Sequence, residues 1–176
     1  MTKSTIHIRT ARPTDADAIV SVHIDSWRTT YRGIIPDEYL DNMNVQARAN
    51  FWRKELTAQD NPVFVAEQEG AIVGFATAGQ SRDDNHFDSE LYAIYVLQPH
   101  QRKNIGSLLL AAISEYLQTC GHRSMYVWVL ADNSSKHFYE RLGGVLFDKK
   151  VIEISGRPLT ELAYGWSALS DLITST

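Results

Sequence analysis

The sequence predicts an α/β fold, with a single central mixed β-sheet flanked by helices on both faces. Three observations predict it. Hydrophobic spacing switches repeatedly between the strand period of about two and the helix period of about 3.6. The elements fall in the order β-α-α-β-β-β-α-β-α-β-β, and several strands are nearly continuous apolar runs, as buried strands require. Composition is that of an ordinary globular chain: 176 residues, 44% hydrophobic and 22% charged. No linker, repeat or low-complexity tract divides the chain, so residues 1–176 read as one domain.

Each element has a local warrant. Ile6 to Arg9 is a short first strand. Thr14 followed by Asp17 reads as a capping box, and Ile19, Val20, His23 and Trp27 then follow helical spacing. Gly33 and Pro36 break that helix, and Val45, Ala49, Trp52 and Leu56 mark a second one. Residues 62–66 and 71–78 form a hairpin across Gln68-Glu69-Gly70. A polar tip, 81–89, leads into a third strand at 90–97. The stripe Ile105, Leu108, Leu109, Ala112, Ile113, Tyr116 and Leu117 is the clearest helix, stopped by Gly121. A strand at 124–130, a short helix at 134–142 and a strand at 144–154 follow. A Gly156-Arg157-Pro158 turn precedes the closing strand, 159–166, and residues 167–176 read as a frayed tail.

Charge and cysteine content exclude several classes. Seventeen Lys+Arg against 21 Asp+Glu give −4, which argues against a general nucleic-acid binder. One cysteine, Cys120, excludes an internal disulfide framework and fits a reducing compartment. No apolar run reaches the roughly 18–20 residues needed to span a bilayer, and the N-terminus lacks the features of a secretory signal. The expectation is a soluble cytoplasmic protein without a membrane partner.

The segment YVLQPHQRKNIGSLLL, 95–110, carries the most chemistry: a strand, a tight polar turn and the amphipathic helix. A helix start leaves about four N–H groups without internal partners, and its dipole adds partial positive charge. Arg102 and Lys103 add full charge, and Gly106 lets a ligand approach the backbone, so a diphosphate is a natural guest. The alternative is that Asn104 or Ser107 merely caps the helix while Arg102 and Lys103 are solvated.

This segment resembles the acyl-CoA-binding motif of the GNAT superfamily of N-acetyltransferases, Gln/Arg-x-x-Gly-x-Gly/Ala. Gln101-Arg102-Lys103-Asn104-Ile105-Gly106 matches it with Asn104 at the first glycine, and Asn tolerates left-handed backbone better than most residues. ADNSSKHFYERLGG, 131–144, resembles the later helix motif of the family, and LTELAYGW its closing strand. The resemblance covers nearly the whole chain. It implies the GNAT-like acyl-CoA N-acyltransferase fold and acetyl-CoA as co-substrate, with no metal. The pyrophosphate would lie on Gln101, Arg102, Lys103, Asn104, Ile105, Gly106 and Ser107. The pantetheine would run along the strand at Ile94, Tyr95 and Val96, with Asn133 and Lys136 as further contacts. Counting back seven residues from Tyr139 gives Asp132, whereas residue type gives Asn133.

The resemblance places the family's general-acid tyrosine at Tyr139, and a phenol with pKa of about 10 can protonate a leaving thiolate. Glu90 resembles the acidic base of some relatives; a solvated strand-end glutamate is the other reading. On strand alternation Glu90 shares a face with Tyr92 and Ile94. The segment 23–43 is similar to a branch with many bacterial members that carries SWR-x-x-Y-x-G-I/L-I/L-P-D-x-Y. There Trp27, Tyr31 and Tyr39 line an aromatic slot for the acceptor, or Trp27 is simply core. Asp83, Asp84 and Asp88 could draw a cationic amine or be merely solvated. The implied activity is direct acetyl transfer to a primary amine of a small molecule, polyamine-like or other. An acetyl-CoA sensor with little turnover and a protein or peptide N-acetyltransferase remain alternatives. A homodimer, pairing through an exposed edge of the C-terminal strand, is compatible with the family.

Overall fold

The computed structural model describes residues 5–174. Its strands are β1 (Ile6–Thr10), β2 (Val63–Gln68), β3 (Ala71–Gln80), β4 (Ser89–Val96), β5 (Met125–Leu130), β6 (Val145–Ile154) and β7 (Arg157–Trp166). Its helices are α1 (Ala16–Tyr31), α2 (Asp37–Asp41), α3 (Val45–Ala58), α4 (Ile105–Thr119), α5 (Lys136–Arg141) and α6 (Ser170–Thr174). The strands form one mixed seven-stranded sheet in the order β1-β2-β3-β4-β5-β7-β6. Among the described residues no helix is long and apolar enough to cross a membrane.

Two apolar layers sandwich the sheet. Ile105, Leu109, Leu110, Ile113 and Leu117 of α4 are all buried at 2% exposure or less, with Leu169 and Leu172 beside them. On the other face Ile19, Trp52 and Leu56 of α1 and α3 pack on Val65 and Phe75. Both hairpins use two-residue turns with positive φ at each position: Glu69 and Gly70 between β2 and β3, Ser155 and Gly156 between β6 and β7. That geometry matches the twist of the paired strands.

Several expectations are corrected. The Thr14–Asp17 capping box does not form, because Pro13 starts a short turn one residue earlier. Asp15 accepts the Arg12 N–H at 2.7 Å and pairs with Arg9, while Asp17 pairs with Arg53. Arg157 and Pro158 lie inside β7, and the turn is Ser155-Gly156. The tail is not frayed over residues 169–172, since Leu169 and Leu172 are each 1% exposed and α6 rests on α4. The C-terminal strand has no free edge: β7 lies between β5 and β6. The edges of the sheet are β1 and β6, and on β6 the Asp148 carboxylate accepts the Lys149 N–H at 2.7 Å.

The α1–α3 layer contains an imidazole. His23 lies among Trp27, Trp52, Phe75 and Tyr95, stacked on Tyr95 at 5.3 Å between centroids. The Trp52 indole donates to His23 Nδ1 at 3.3 Å, a contact that only the neutral ring accepts. Burial, and then the nearby Arg48 charge, lower the His23 pKa from 6.5 to about 4. A lowered folded-state pKa gives stability that is present above the unfolded value and is lost as pH falls through the folded one. Denaturant unfolding should therefore show an extra loss on the order of 3 kcal/mol between neutral pH and pH about 4. His23→Gln keeps an acceptor without a titratable ring, and its stability should lack this component across the same range.

Candidate active site

Everything in the site follows from a fork in the sheet. β4 and β5 run parallel and pair only at Ser89–Met125 and Glu90–Tyr126, and then diverge. A bulge opposite Thr77 and Ala78 leaves Tyr92 unpaired on β3 and shifts the faces of β4 beyond it. Ala93, Tyr95 and Leu97 consequently pack on the α1–α3 side, and Leu91, Ile94 and Val96 on the α4 side. The expectation that Ile94 shares a face with Glu90 is thus corrected by the bulge.

The Leu97 N–H donates to Val73 on β3, which sets the alternation of the ladder. By that alternation the backbone groups of Ile94 and Val96 point away from β3 into the fork, while those of Tyr95 are taken by Phe75. Of the three strand residues expected along an extended ligand, Ile94 and Val96 offer backbone and Tyr95 does not. The Gln101 side chain donates to the Val96 carbonyl at 3.0 Å and ties the next loop to the strand end.

That loop enters α4 through two non-glycine residues in left-handed conformation, Arg102 at φ 58° and Asn104 at φ 66°. Asn104 thus adopts the geometry for which glycine is usual. Among the described residues, the N–H groups of 102 to 107 donate to no protein oxygen, so Arg102, Lys103, Asn104, Ile105, Gly106 and Ser107 present a run of free donors. Such a nest at a helix N-terminus, with two exposed cations beside it, fits a diphosphate. The side chain of Ile105 is buried, so only its backbone is available. Gly106 is required for a reason other than ligand approach: a Cβ there would lie 3.1 Å from the Phe138 ring.

On the opposite side of the fork, α5 presents Tyr139, 6% exposed. Burial, and then the neighbouring Tyr95 phenol, hold its pKa well above the ordinary tyrosine value. Its hydroxyl makes no hydrogen bond among the described residues. Asn133 is buried and accepts the Ser135 N–H on Oδ1 at 2.9 Å, with its amide NH2 in reach of the Tyr31 hydroxyl, whereas Asp132 is exposed. Lys136 donates to the Ala131 carbonyl at 2.6 Å and braces the loop.

A cleft of about 430 Å³ is lined by Trp27, Tyr31, Tyr95, Arg82, Glu90 and Trp128, together with Lys150 and Glu161. Tyr31 is buried, and the Trp27 indole N–H is buried without a partner in hydrogen-bond geometry. Tyr39, 36% exposed, does not line the cleft, and its ring lies 6.5 Å from that of Trp27. Glu90, 3% exposed, accepts two N–H groups of Arg82 at 2.7 and 2.9 Å and the Tyr126 hydroxyl at 3.0 Å. Asp83 accepts from Trp128 and Tyr126, Asp88 accepts the Arg123 N–H, and Asp84 is exposed. Sequence reasoning missed Arg82, Tyr126, Trp128, Lys150 and Glu161. Only the charged tip at 81–89 hinted at Arg82, and nothing local marks the rest.

A sheet forked beside a helix N-terminus, with a buried phenol opposite, is an arrangement that suits the acyl-transfer class of enzyme. The chain belongs to the acetyltransferase (GNAT) family, whose model matches residues 22–144, and it is an N-acetyltransferase. It is 40% identical over 171 residues to the uncharacterised N-acetyltransferase YuaI of Bacillus subtilis (strain 168), covering 96% of this chain and 97% of that one. It is 30% identical over 141 residues, 79% of each chain, to the L-amino acid N-acyltransferase MnaT of Escherichia coli (strain K12). A Salmonella typhimurium acetyltransferase solved with its cofactor acetyl-CoA shares the fold at TM-score 0.71 and 22% identity, over 92% of this chain and 93% of that one.

The left-handed turn at Asn104 is directly testable. Asn104→Gly should hold stability within about 0.5 kcal/mol, whereas Asn104→Ala should cost about 1 kcal/mol, as L-residues strained at positive φ do. Thermal unfolding of the two variants measures the difference.

Proposed function

We propose that the protein acetylates the α-amine of a small amino-acid-like acceptor, using acetyl-CoA directly and without an acyl-enzyme. The observation that carries this reading is Tyr139, a residue 6% exposed whose hydroxyl bonds to no described residue and lies close to Tyr31 and Tyr95, which line the cleft. Bound acetyl-CoA supplies an activated thioester. The free N–H groups of 102–107 hold its diphosphate, with Arg102 and Lys103 adding charge. The backbone of Ile94 and Val96 and the amide of Asn133 orient the extended arm. Tyr139 keeps its proton at every working pH, because its pKa is raised, and so donates where thiolate charge develops.

The charges of the cleft support an acceptor that is itself a zwitterion. Glu90 has about four lone-pair positions, of which Arg82 and Tyr126 take three, leaving one for an ammonium N–H. The proton shed before attack passes there or to water. Arg82 is 64% exposed at its side chain and Lys150 42%, so both can meet a carboxylate. The MnaT relative, named for L-amino acids, supports the same class.

Calorimetric titration with acetyl-CoA, followed by thiol release against amino acids, spermidine, aminoglycosides and lysine peptides, tests the reading. Micromolar binding and release with α-amino acids are expected; binding with release only from polyamines or peptides overturns the acceptor class. Tyr139→Phe should lower kcat about 10²- to 10³-fold with acetyl-CoA affinity kept. Because its pKa is raised, the wild-type rate should show no Tyr139-dependent alkaline limb below pH about 10. An unchanged kcat in Tyr139→Phe removes it as the acid.

A further inference from the structure

The β3–β4 loop holds a carboxylate to which the reaction as described assigns no part. We propose that Asp83 is a positioning residue: it ties the loop bearing Arg82 to β5 and so sets the acceptor cleft. The proposal rests on the acceptor reading given above.

The base of the loop is anchored without Asp83. The Ser81 N–H donates to the Asp88 carbonyl at 3.1 Å, and the Asp88 N–H donates to Ser124 Oγ at 3.0 Å. The Asp88 carboxylate accepts the Arg123 N–H at 2.8 Å. At the other end the Asp83 carbonyl accepts the Ser81 hydroxyl and the Asn85 N–H, both at 3.0 Å, bonds within the loop that do not reach β5. There Asp83 Oδ2 accepts the Trp128 indole N–H at 2.6 Å and the Tyr126 hydroxyl at 2.9 Å. Tyr126 is the last residue of β5 paired with β4, and Trp128 lies beyond it on the diverging stretch. Asp83 therefore crosses the fork where no backbone ladder joins the two strands.

Its neighbour completes the strut. Arg82 is bound to Glu90 of β4 and lies 4.3 Å over the Tyr92 ring. Adjacent residues thus grip the two diverging strands, Arg82 on β4 and Asp83 on β5. Lys150 sits 3.9 Å over the Trp128 ring, so a turn of that indole also moves the second cation of the cleft. The single Tyr126 hydroxyl proton lies within reach of both Asp83 and Glu90. Without Asp83 it goes wholly to Glu90 and competes with the acceptor ammonium. Trp128 above all, and then Tyr126, hold the Asp83 carboxyl below the usual carboxylate range, which keeps it an acceptor at neutral pH.

The test compares full-length wild type, Asp83→Ala and Asp83→Asn, with acetyl-CoA and the best α-amino acid of the panel. Asp83→Ala should raise acceptor KM about tenfold or more, with kcat within about twofold and acetyl-CoA Kd unchanged. Asp83→Asn keeps an oxygen acceptor and should recover most of the KM. In nitrogen–proton correlation spectra of the free protein, the Trp128 indole signal, assigned by its loss in Trp128→Phe, should move in Asp83→Ala and less in Asp83→Asn. If Asp83→Ala does not fold, Trp128→Phe breaks the same bond from the other end and should raise KM alike. An unmoved indole signal, an unchanged KM, or a joint loss of KM, kcat and acetyl-CoA affinity overturns the proposal. If wild type acetylates no α-amino acid, the acceptor reading fails, and the strut is decided by the indole signal alone.

Discussion

The parting of β4 and β5 after two paired residues is the constraint on which the rest depends. Backbone donors and acceptors at the centre of a sheet are normally paired, and leaving them open costs free energy unless something else satisfies them. Here the opening is built in. The bulge at Tyr92 turns β4 away, and Gly79 on β3 leaves room for the Tyr92 ring, which a Cβ would strike at 2.8 Å. The Tyr92 hydroxyl donates to the Gln80 carbonyl, which fixes the bulge in place. A sheet that was fully zipped would have no place for an extended donor.

The same divergence creates the helix-end nest. β4 stops short of α4, and the chain reaches the helix through a turn with two left-handed residues, pinned by Gln101 to Val96 and by His100 to Gln68 at 2.8 Å. Phe138 from α5 closes on Gly106 from the other side. The helix that carries Tyr139 is therefore docked by the ring next to it onto the helix that carries the nest. The nest and Tyr139 are set relative to one another by packing.

Much of this was legible because apolar periodicity reports burial. The α4 stripe and the strands at 63–68, 71–80 and 125–130 could hardly be read otherwise. Short elements were not legible: α2 and α6 each span five residues, too few for a period to show, and only the buried Leu40, Leu169 and Leu172 mark them. The bulge was hidden because ELYAIYV is largely apolar, so a change of face leaves no trace in the pattern. The nest, Tyr139 and Asn133 lie on contiguous motifs. The far wall of the cleft is assembled from Arg82, Trp128, Lys150 and Glu161, which only the sheet order brings together.

The site separates two electrostatic environments within one cleft. Around Tyr139 the neighbours are Phe138, Tyr164, Trp166 and other phenols, and such surroundings resist forming a phenolate. Around Asp83 the neighbours Trp128 and Tyr126 are both donors and hold its carboxyl below the usual carboxylate range, beside the Glu90 carboxylate bound by Arg82 and Tyr126. Environments that push pKa values apart assign acid and base roles at one pH. On the reading proposed above the reacting centre would fall between them, with Tyr139 keeping its proton on one side and Asp83 staying anionic on the other. Glu161 departs from this division: burial first, and then the nearby Asp83 and Glu90 carboxylates, raise its pKa, opposed by Lys150. It lies at the rim beyond Trp128, where Lys150 links it to the indole that Asp83 holds. Tyr139 is thus isolated by apolar packing, while Glu90, Asp83 and their partners form a connected network, so substitutions there are felt by several charges at once.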